Sequence, residues 1–444
     1  MIHRLLVPAL LAALTGAPAI AQEPLSLERA LERAKAQNPE LQALRERASA
    51  SATRGETIRQ QRLPRIGFEI GAQRSDNAAL VFANRLNSGE FTSADFDIAR
   101  LNSPSALSHL GSSLFAEVPI DIAGRINLAS RAQVAGQDAF DQNIREAEAT
   151  LSLQVTEAYF GAVLARKAEG AAAKAVLASR SRESITQARF NEGVALQSDI
   201  LRVRARRRAR EADLASQRAE IALAEALLAR LIGAPDGQKF ELTDAAIPSS
   251  FTETLEALKA QALAARPSLL AAQKHRDATS LALQLERKSS WPELSAQARV
   301  MDDRTSFSGG GQSWSVGAML RWSVFDATRG KRRSAALADE QASLQDERAA
   351  RDQVRYEVEA AYGRLTAARE RLVAAEGGAS EGREALRVVQ ERRGQGLATL
   401  TDELETEAAA FAAELEEIGA ARATVLAEAA LRRAANLTPG SNVQ

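Results

Sequence analysis

The chain has 444 residues, and its 57 basic and 57 acidic side chains balance, so net charge gives no sign of a nucleic-acid partner. Aromatic residues are only 4% and cysteine is absent, which excludes a disulfide-stapled domain and leaves packing to hold the fold. The abundance of Ala, Glu, Arg and Leu favours long helices packed through small side chains over a thick globular core.

The opening "MIHRLLVPALLAALTGAPAIAQ" sets a basic start before an apolar run, Leu5 to Leu14, and an A-x-A site at Ala19 to Ala21. This reads as a secretory signal peptide over 1–21, and the run is shorter than the roughly 20 residues of a membrane-spanning helix. No other segment is long and apolar enough for such a helix. Without cysteine, no amino-terminal lipid is expected on a thiol.

The mature chain repeats itself. "NPELQALRERASASATRGETIRQQRLPRI" (38–66) lines up with "RPSLLAAQKHRDATSLALQLERKSSWPEL" (266–294), and Pro39 and Pro64 are spaced as are Pro267 and Pro292. "VTEAY" (155–159) matches "VEAAY" (358–362), and Gly237 answers Gly440. A first repeat is expected over 22–240, a linker over 241–251 and a second repeat over 252–444, since a fixed period marks one repeated structural unit.

Each unit starts with a helix, 41–62 or 269–290, that stops at a proline. Strands follow. The first unit offers about 64–72 and 110–122, joined by a long polar connector over 73–109. In the second, "WSVGAMLRWSV" alternates with a period of two, setting Trp314, Val316, Ala318, Leu320, Trp322 and Val324 on one face. It predicts a strand over about 313–325, paired with 292–300 through the turn-rich "RTSFSGGGQ". Long helices over 125–189 and 331–392 come next, then a glycine turn, then returning helices over 197–232 and 399–434. At 1.5 Å per residue the long helix covers ~97 Å, nearly the ~54 Å and ~33 Å of the two shorter ones combined. Each unit therefore reads as a long rod beside a broken rod, strands at one end and the glycine turn at the other.

On alternation alone, an ordinary half-buried strand of a soluble sandwich is favoured over a membrane strand. Export and repetition favour the membrane. The stretch from Trp314 to Val324 covers ~33 Å, or ~25 Å along the membrane normal at a tilt of roughly 40°, the height of an outer-membrane apolar band. Four strands cannot close a barrel, because their edges would leave backbone groups unpaired in lipid. Arg321 and Glu117 fall on the opposite, lumen-side face.

Taken together, the doubled unit, the junctions "VPIDIAGR" (118–125) and "WSVFDATRGK" (322–331), the Val-x-x-Ala-Tyr helix motifs and two Arg-x-x-x-Gly-x-x-x-x-x-Asp-x-Leu turns resemble the TolC family of outer-membrane efflux ducts. The resemblance covers essentially the whole mature chain. It implies an α+β membrane protein: a trimeric twelve-strand outer-membrane β-barrel, four strands per chain, continued by a long periplasmic α-helical barrel. It also implies a homotrimer working with a periplasmic adaptor (membrane fusion) protein and an inner-membrane pump of RND or ABC type, set in outer-membrane lipid. The function implied is the exit duct of a tripartite efflux or type I secretion system. A periplasmic helical scaffold or adaptor without a pore is the other reading.

The resemblance also assigns sites. Gly193 and Gly396 would turn the hairpin tips that dock the adaptor, although glycines there are needed for the turn alone. Asp402 and Glu405, three apart on one helix face, would ring the periplasmic constriction, or simply favour a helix start. Asp199 and Arg393 match positions of closed-state tip contacts, with Arg393 where the family more familiarly carries an aromatic. Trp314 and Trp322 would mark the membrane interfaces. The arginine-rich "RVRARRR" (202–208) reads as a solvated helix face near Glu211 and Asp213 rather than a nucleic-acid helix. No catalytic motif, cofactor site or metal site is expected: His109 and His275 stand alone, "LGSSLF" is not a nucleophile elbow, and "SGGGQ" lacks the lysine of a phosphate loop.

Overall fold

The computed structural model describes residues 23–235, 238, 240–243, 253–306 and 310–437. The expected signal peptide, Gly237, Gly440, part of the "SGGGQ" turn and the 244–251 part of the linker lie outside the described residues.

In chain order the elements are β1 (Glu23–Leu25), α1 (Leu27–Gln37), α2 (Pro39–Gln60), β2 (Arg65–Ser75), α3 (Ala78–Asn87), α4 (Ile98–Asn102), β3 (Leu107–Ile120), α5 (Arg125–Asn191) and α6 (Gln197–Leu231). The order then repeats with β4 (Phe240–Leu242), α7 (Leu255–Ala265), α8 (Pro267–Arg287), β5 (Glu293–Arg304), β6 (Gly311–Arg321), α9 (Arg329–Gly394) and α10 (Leu400–Ala434). Two compact units cut across the sequence repeat, each drawing on both halves: 1–44, 145–266 and 353–444 form one, and 45–144 with 267–352 the other.

The second of these units holds the sheet. Its order is β2-β3-β5-β6, antiparallel throughout, so the two hairpins are joined between β3 and β5. The expected pairing of the 292–300 strand with the 313–325 strand is present as β5 with β6. Directly opposed residues share a face, and the register separates two kinds of face. One carries Ile66, Ala116, Ala298 and Val316 in one row and Phe68, Leu114, Val300 and Trp314 in the next. Ile120, Leu294 and Leu320 form a further row of the same face. The opposite face carries Arg65, Glu117 and Gln297, then Glu69, Ser113 and Met301, with Phe115, Arg299 and Ser315 between them. There Arg299 donates to Glu69 and to Ser113, both at 2.9 Å, and lies 5.3 Å from the Phe115 ring centre. Glu117 and Arg321 fall on this polar face, as the alternation indicated. Gly67 leaves room for the Phe115 ring across the strand, 2.4 Å from where a Cβ would stand.

Two expectations need correction. β6 ends at Arg321, so Trp322 and Val324 are not strand residues. The Trp322 indole N–H instead donates to the Ser290 carbonyl (3.0 Å), and Asp326 accepts from the Thr328 N–H (2.8 Å) in the turn that opens α9. The 73–109 connector is not a plain polar loop. It folds into α3, a 3-10 turn (Ser93–Phe96) and α4, held by edge-to-face contacts of Phe91 with Phe82 (5.0 Å) and Phe96 (5.1 Å). Glu90 takes the Thr305 hydroxyl, and Gly311 passes so near Asn87 that a Cβ would meet its carbonyl oxygen.

The other unit is helical, with one small addition that sequence alone did not suggest. β1 runs parallel to β4, and the buried Tyr159 hydroxyl lies 2.9 Å from the Leu25 carbonyl and 2.7 Å from that of Thr243. The tyrosine of "VTEAY" thus bonds the last residue of β1 and the residue that follows β4. Helices α1 and α7, capped by Ser26 and Thr254, precede the prolines and were not foreseen as separate elements.

The repeats end alike. α6 closes with Gly233 at φ 66, its Ala234 N–H reaching the Ala229 carbonyl at 2.9 Å. α10 closes with Asn436 at φ 55, and Leu437 N–H reaches Arg432 at 2.8 Å. A Cβ on Gly233 would stand 2.6 Å from the Gln37 carbonyl oxygen, whereas Asn436 donates through Nδ2 to the Ala265 carbonyl at 2.9 Å. Asn38 Nδ2 bonds the Leu231 carbonyl (3.0 Å); its counterpart Arg266, 2% exposed, bonds those of Arg433 and Ala434, both at 2.9 Å. Arg266 is balanced by Glu146 (3.0 Å) and Glu357 (2.8 Å), as a buried cation must be.

Candidate functional site: the two hairpin tips

Both glycine turns lie in the helical unit. Gly193 and Gly396 each adopt φ 77. At the first, Gly193 N–H reaches Phe190 O (2.9 Å) and Val194 N–H reaches Arg189 O (2.9 Å). At the second, Gly396 N–H reaches Arg393 O (3.0 Å) and Leu397 N–H reaches Arg392 O (2.8 Å). These are paired helix-closing bonds that place glycine in the left-handed region, where a side chain would be strained. Val194, Leu196 and Leu397 project from the turns, all exposed.

The returning helices start differently. Thr399 and Asp402 form a reciprocal capping box: Asp402 N–H donates to Thr399 Oγ1 (3.1 Å) and Thr399 N–H to Asp402 Oδ2 (2.9 Å). The Thr399 backbone bond, then its hydroxyl, holds the Asp402 carboxyl below its ordinary range. In the first repeat Leu196 replaces the threonine, so only the Leu196 N–H to Asp199 bond (3.2 Å) remains. Asp402 and Glu405 are both exposed. Arg393 turns to Glu403, and no bond joins it to Asp199 among the described residues.

Beneath the turns is a buried ion cluster that sequence reasoning missed. Arg182 of α5 reaches Glu403 at 2.8 Å and also pairs with Glu407, both of α10. The three side chains are 9–13% exposed, and burial draws the Arg182 guanidinium below its usual range against the pull of Glu403. The arginine run does not form a simple solvated face. Arg204 and Arg207 clasp Glu183 (3.0 and 2.6 Å), tying α6 to α5. Arg202 donates to Thr401 (2.9 Å), Arg206 to the Leu404 carbonyl (3.4 Å), and the buried Arg210 stacks 3.9 Å from the Phe411 ring centre. The available signal was the run of glutamates opening α10; nothing local marked Arg182 of α5 as their cation.

Trp314 stands on the apolar face of the sheet, and Trp322 just past its end beside Trp291, a third exposed tryptophan not singled out from sequence. Among the described residues no helix is long and apolar enough to cross a membrane, and no acidic or histidine cluster could hold a metal.

The family described as Outer membrane efflux protein matches residues 30–234 and 258–437. The chain belongs to that family. Membership places this outer membrane efflux protein in the outer membrane. A curated relative, the outer membrane efflux protein BepC of Brucella suis biovar 1 (strain 1330), is 26% identical over 301 residues. That match takes in 66% of this chain and spans 64% of the relative's length. Solved structures share the fold. A membrane protein from Pseudomonas aeruginosa superposes with a TM-score of 0.80 at 20% identity, covering 92% of this chain and 93% of its own. The outer membrane protein VceC of Vibrio cholerae gives 0.76 at 17%, over 92% and 95%. The open-state MtrE outer membrane channel of Neisseria gonorrhoeae gives 0.74 at 18%, over 93% and 89%.

Proposed function

We propose that three copies of this chain form the exit duct of a tripartite efflux or type I secretion system, fed by an inner-membrane pump through a periplasmic adaptor. One observation carries the reading: a four-stranded sheet with one apolar and one polar face, whose edge strands β2 and β6 each have a single partner. Its apolar face is uncovered, with Ile66, Phe68, Trp314 and Val316 all exposed. Lipid suits that face and water the other, but the open edges cannot enter lipid unpaired. Three copies supply twelve strands and no edge. On β3 the apolar positions of this face run from Leu114 to Ile120, about 20 Å of strand, bounded beyond Leu114 by the polar row of Ser112, Asp302 and Gln312.

In this reading the glycine turns with exposed Val194, Leu196 and Leu397 meet the adaptor, and Asp402 and Glu405 line the mouth. Asp199 and Arg393 contribute contacts between tips in the closed assembly. A pore-free periplasmic scaffold would have no use for a wide apolar face. No catalytic step is assigned to the chain.

The test compares neighbouring residues of β2. Phe68→Lys, on the apolar face, should reduce outer-membrane trimer, as lysine on a lipid-facing strand position is destabilising, from about 1 kcal/mol near an interface to about 2–4 kcal/mol at the midplane. Glu69→Lys, one residue away on the polar face, should leave assembly intact. Equal tolerance of both, or a folded wild-type monomer in detergent, would end the proposal.

A further inference from the structure

The start of α9 is unusual in its charge. Arg329, Lys331, Arg332 and Arg333 fall within its first five residues, with no acid in the first turn. Helix N-termini carry partial positive charge and disfavour such residues. α5, at the equivalent place, has Arg125 and no further cation until Arg131, and Arg125 is paired with Glu293 at 2.6 Å. In α9, Arg329 donates to the Ser323 carbonyl (2.7 Å), and Arg332 pairs with Asp326 (3.0 Å) and Glu286 (3.6 Å). Lys331 and Arg333 are exposed, with no hydrogen bond or ion pair among the described residues.

These two cations stand beside an apolar surface. Just before α9 come Trp322, Val324 and Phe325, 58%, 73% and 86% exposed, and Trp291 precedes β5 at 54%. They follow directly from the Ile120–Leu294–Leu320 row, so the apolar face of the sheet runs into this surface without a polar break. Tryptophans with free cations at the edge of an apolar face match the boundary between acyl chains and headgroups. Uncompensated lysine and arginine at that depth attract anionic lipid.

We propose that Trp291, Trp322, Phe325, Lys331 and Arg333 form a binding site for an anionic phospholipid headgroup in the periplasmic leaflet. The site rests on the barrel reading above, and adds a lipid preference to it. Lys331 and Arg333, two apart and so on different sides of the helix, attract the phosphate through their joint field rather than as one clasp, and the indoles and Phe325 lie against the glycerol and upper acyl carbons.

The chain's three tryptophans are Trp291, Trp314 and Trp322, so Trp314→Phe leaves only reporters beside the site. This protein, reconstituted as the assembled complex in phosphatidylcholine vesicles, is titrated with brominated phosphatidylglycerol or brominated phosphatidylcholine, whose bromines quench nearby indoles. Phosphatidylglycerol should quench at several-fold lower mole fraction at low salt, and molar salt should remove the difference. Lys331→Gln with Arg333→Gln should reduce the preference by about fivefold per charge removed. Equal quenching by both lipids in low salt, or an unchanged preference in the double variant, overturns the site. So does a double variant whose trimer dissociates while lipid preference persists, which assigns the cations to a contact between protomers. No quenching by either lipid overturns the barrel reading itself. The salt titration needs neither cation variant to fold.

Discussion

Replacing Arg182 by Gln tests whether the buried cluster holds the base of the second hairpin. Glu403 would keep Arg393, but Glu407 would face a buried setting with no cation among the described contacts. Breaking a buried ion pair by removing one partner costs about 3–5 kcal/mol, and the surviving Arg393 contact argues for the lower end, ~3 kcal/mol. If that cost falls on local opening, amides 403–411 should exchange hydrogen roughly 100-fold faster, at 1.36 kcal/mol per tenfold. Amides 425–431, farther along α10, should keep their rates. Native-state exchange followed by mass spectrometry reads both segments in one sample. Pairing Arg182→Met with Glu407→Leu should restore much of the protection, because apolar side chains can replace a buried pair at little cost. Exchange unchanged over 403–411, or raised equally along all of α10, would refute the reasoning.

Gly396→Val should strain the second tip by about 1–3 kcal/mol, since φ 77 is closed to a branched side chain; cellular efflux should fall while outer-membrane levels hold, and normal efflux would remove the tip from the docking surface. Glu428 is 1% exposed, and burial raises its carboxyl above the ordinary value of 4.5 against the opposing pull of Arg432 and Arg369. Burial thus favours its neutral form relative to the unfolded chain, and that contribution to stability is lost as pH rises through the raised value. The melting temperature of Glu428→Gln relative to the unsubstituted protein should therefore be more favourable at neutral pH than at pH 4, and the reverse ordering would contradict that sign. Asp402→Ala with Glu405→Ala should weaken block by a trivalent cation added on the periplasmic side and shift selectivity towards anions in single-channel recordings; unchanged block would mean the mouth is lined elsewhere. Because the capping box keeps Asp402 below the usual carboxylate range, this selectivity should persist into mildly acidic solution.

Sequence was most informative where one local rule governs. Pro64 and Pro292, the period of two in β6 and the glycines of both tips are such cases, and helix limits followed within a few residues. It failed where a distant partner decides. Trp322 continues the alternation, but a carbonyl at Ser290 ends the strand. The polar 73–109 segment gave no periodic pattern long enough to announce α3, whose end is packed against Gly311 from the other repeat. Arg182 carries no local signal, because its partners are more than 200 residues away in sequence. The glutamates opening α10 were visible, but the arginines that pair with them come from α5 and α9 and not from the arginine-rich start of α6.

The helix ends at Gly233 and Asn436 bear on how such a doubled chain can evolve. The two halves once could have been identical, but they have since specialised around the same bend. In the first, the neighbouring Gln37 backbone presses so close that any side chain is shut out; in the second, a side chain has entered the bend and bonds the Ala265 backbone. Asn38 and Arg266 have diverged alongside them, one short and neutral, the other long and charged. The halves are therefore no longer interchangeable parts. A chain that joined the start of one half to the end of the other would press the asparagine side chain against the Gln37 backbone, or leave the Ala265 carbonyl without its partner, at this bend.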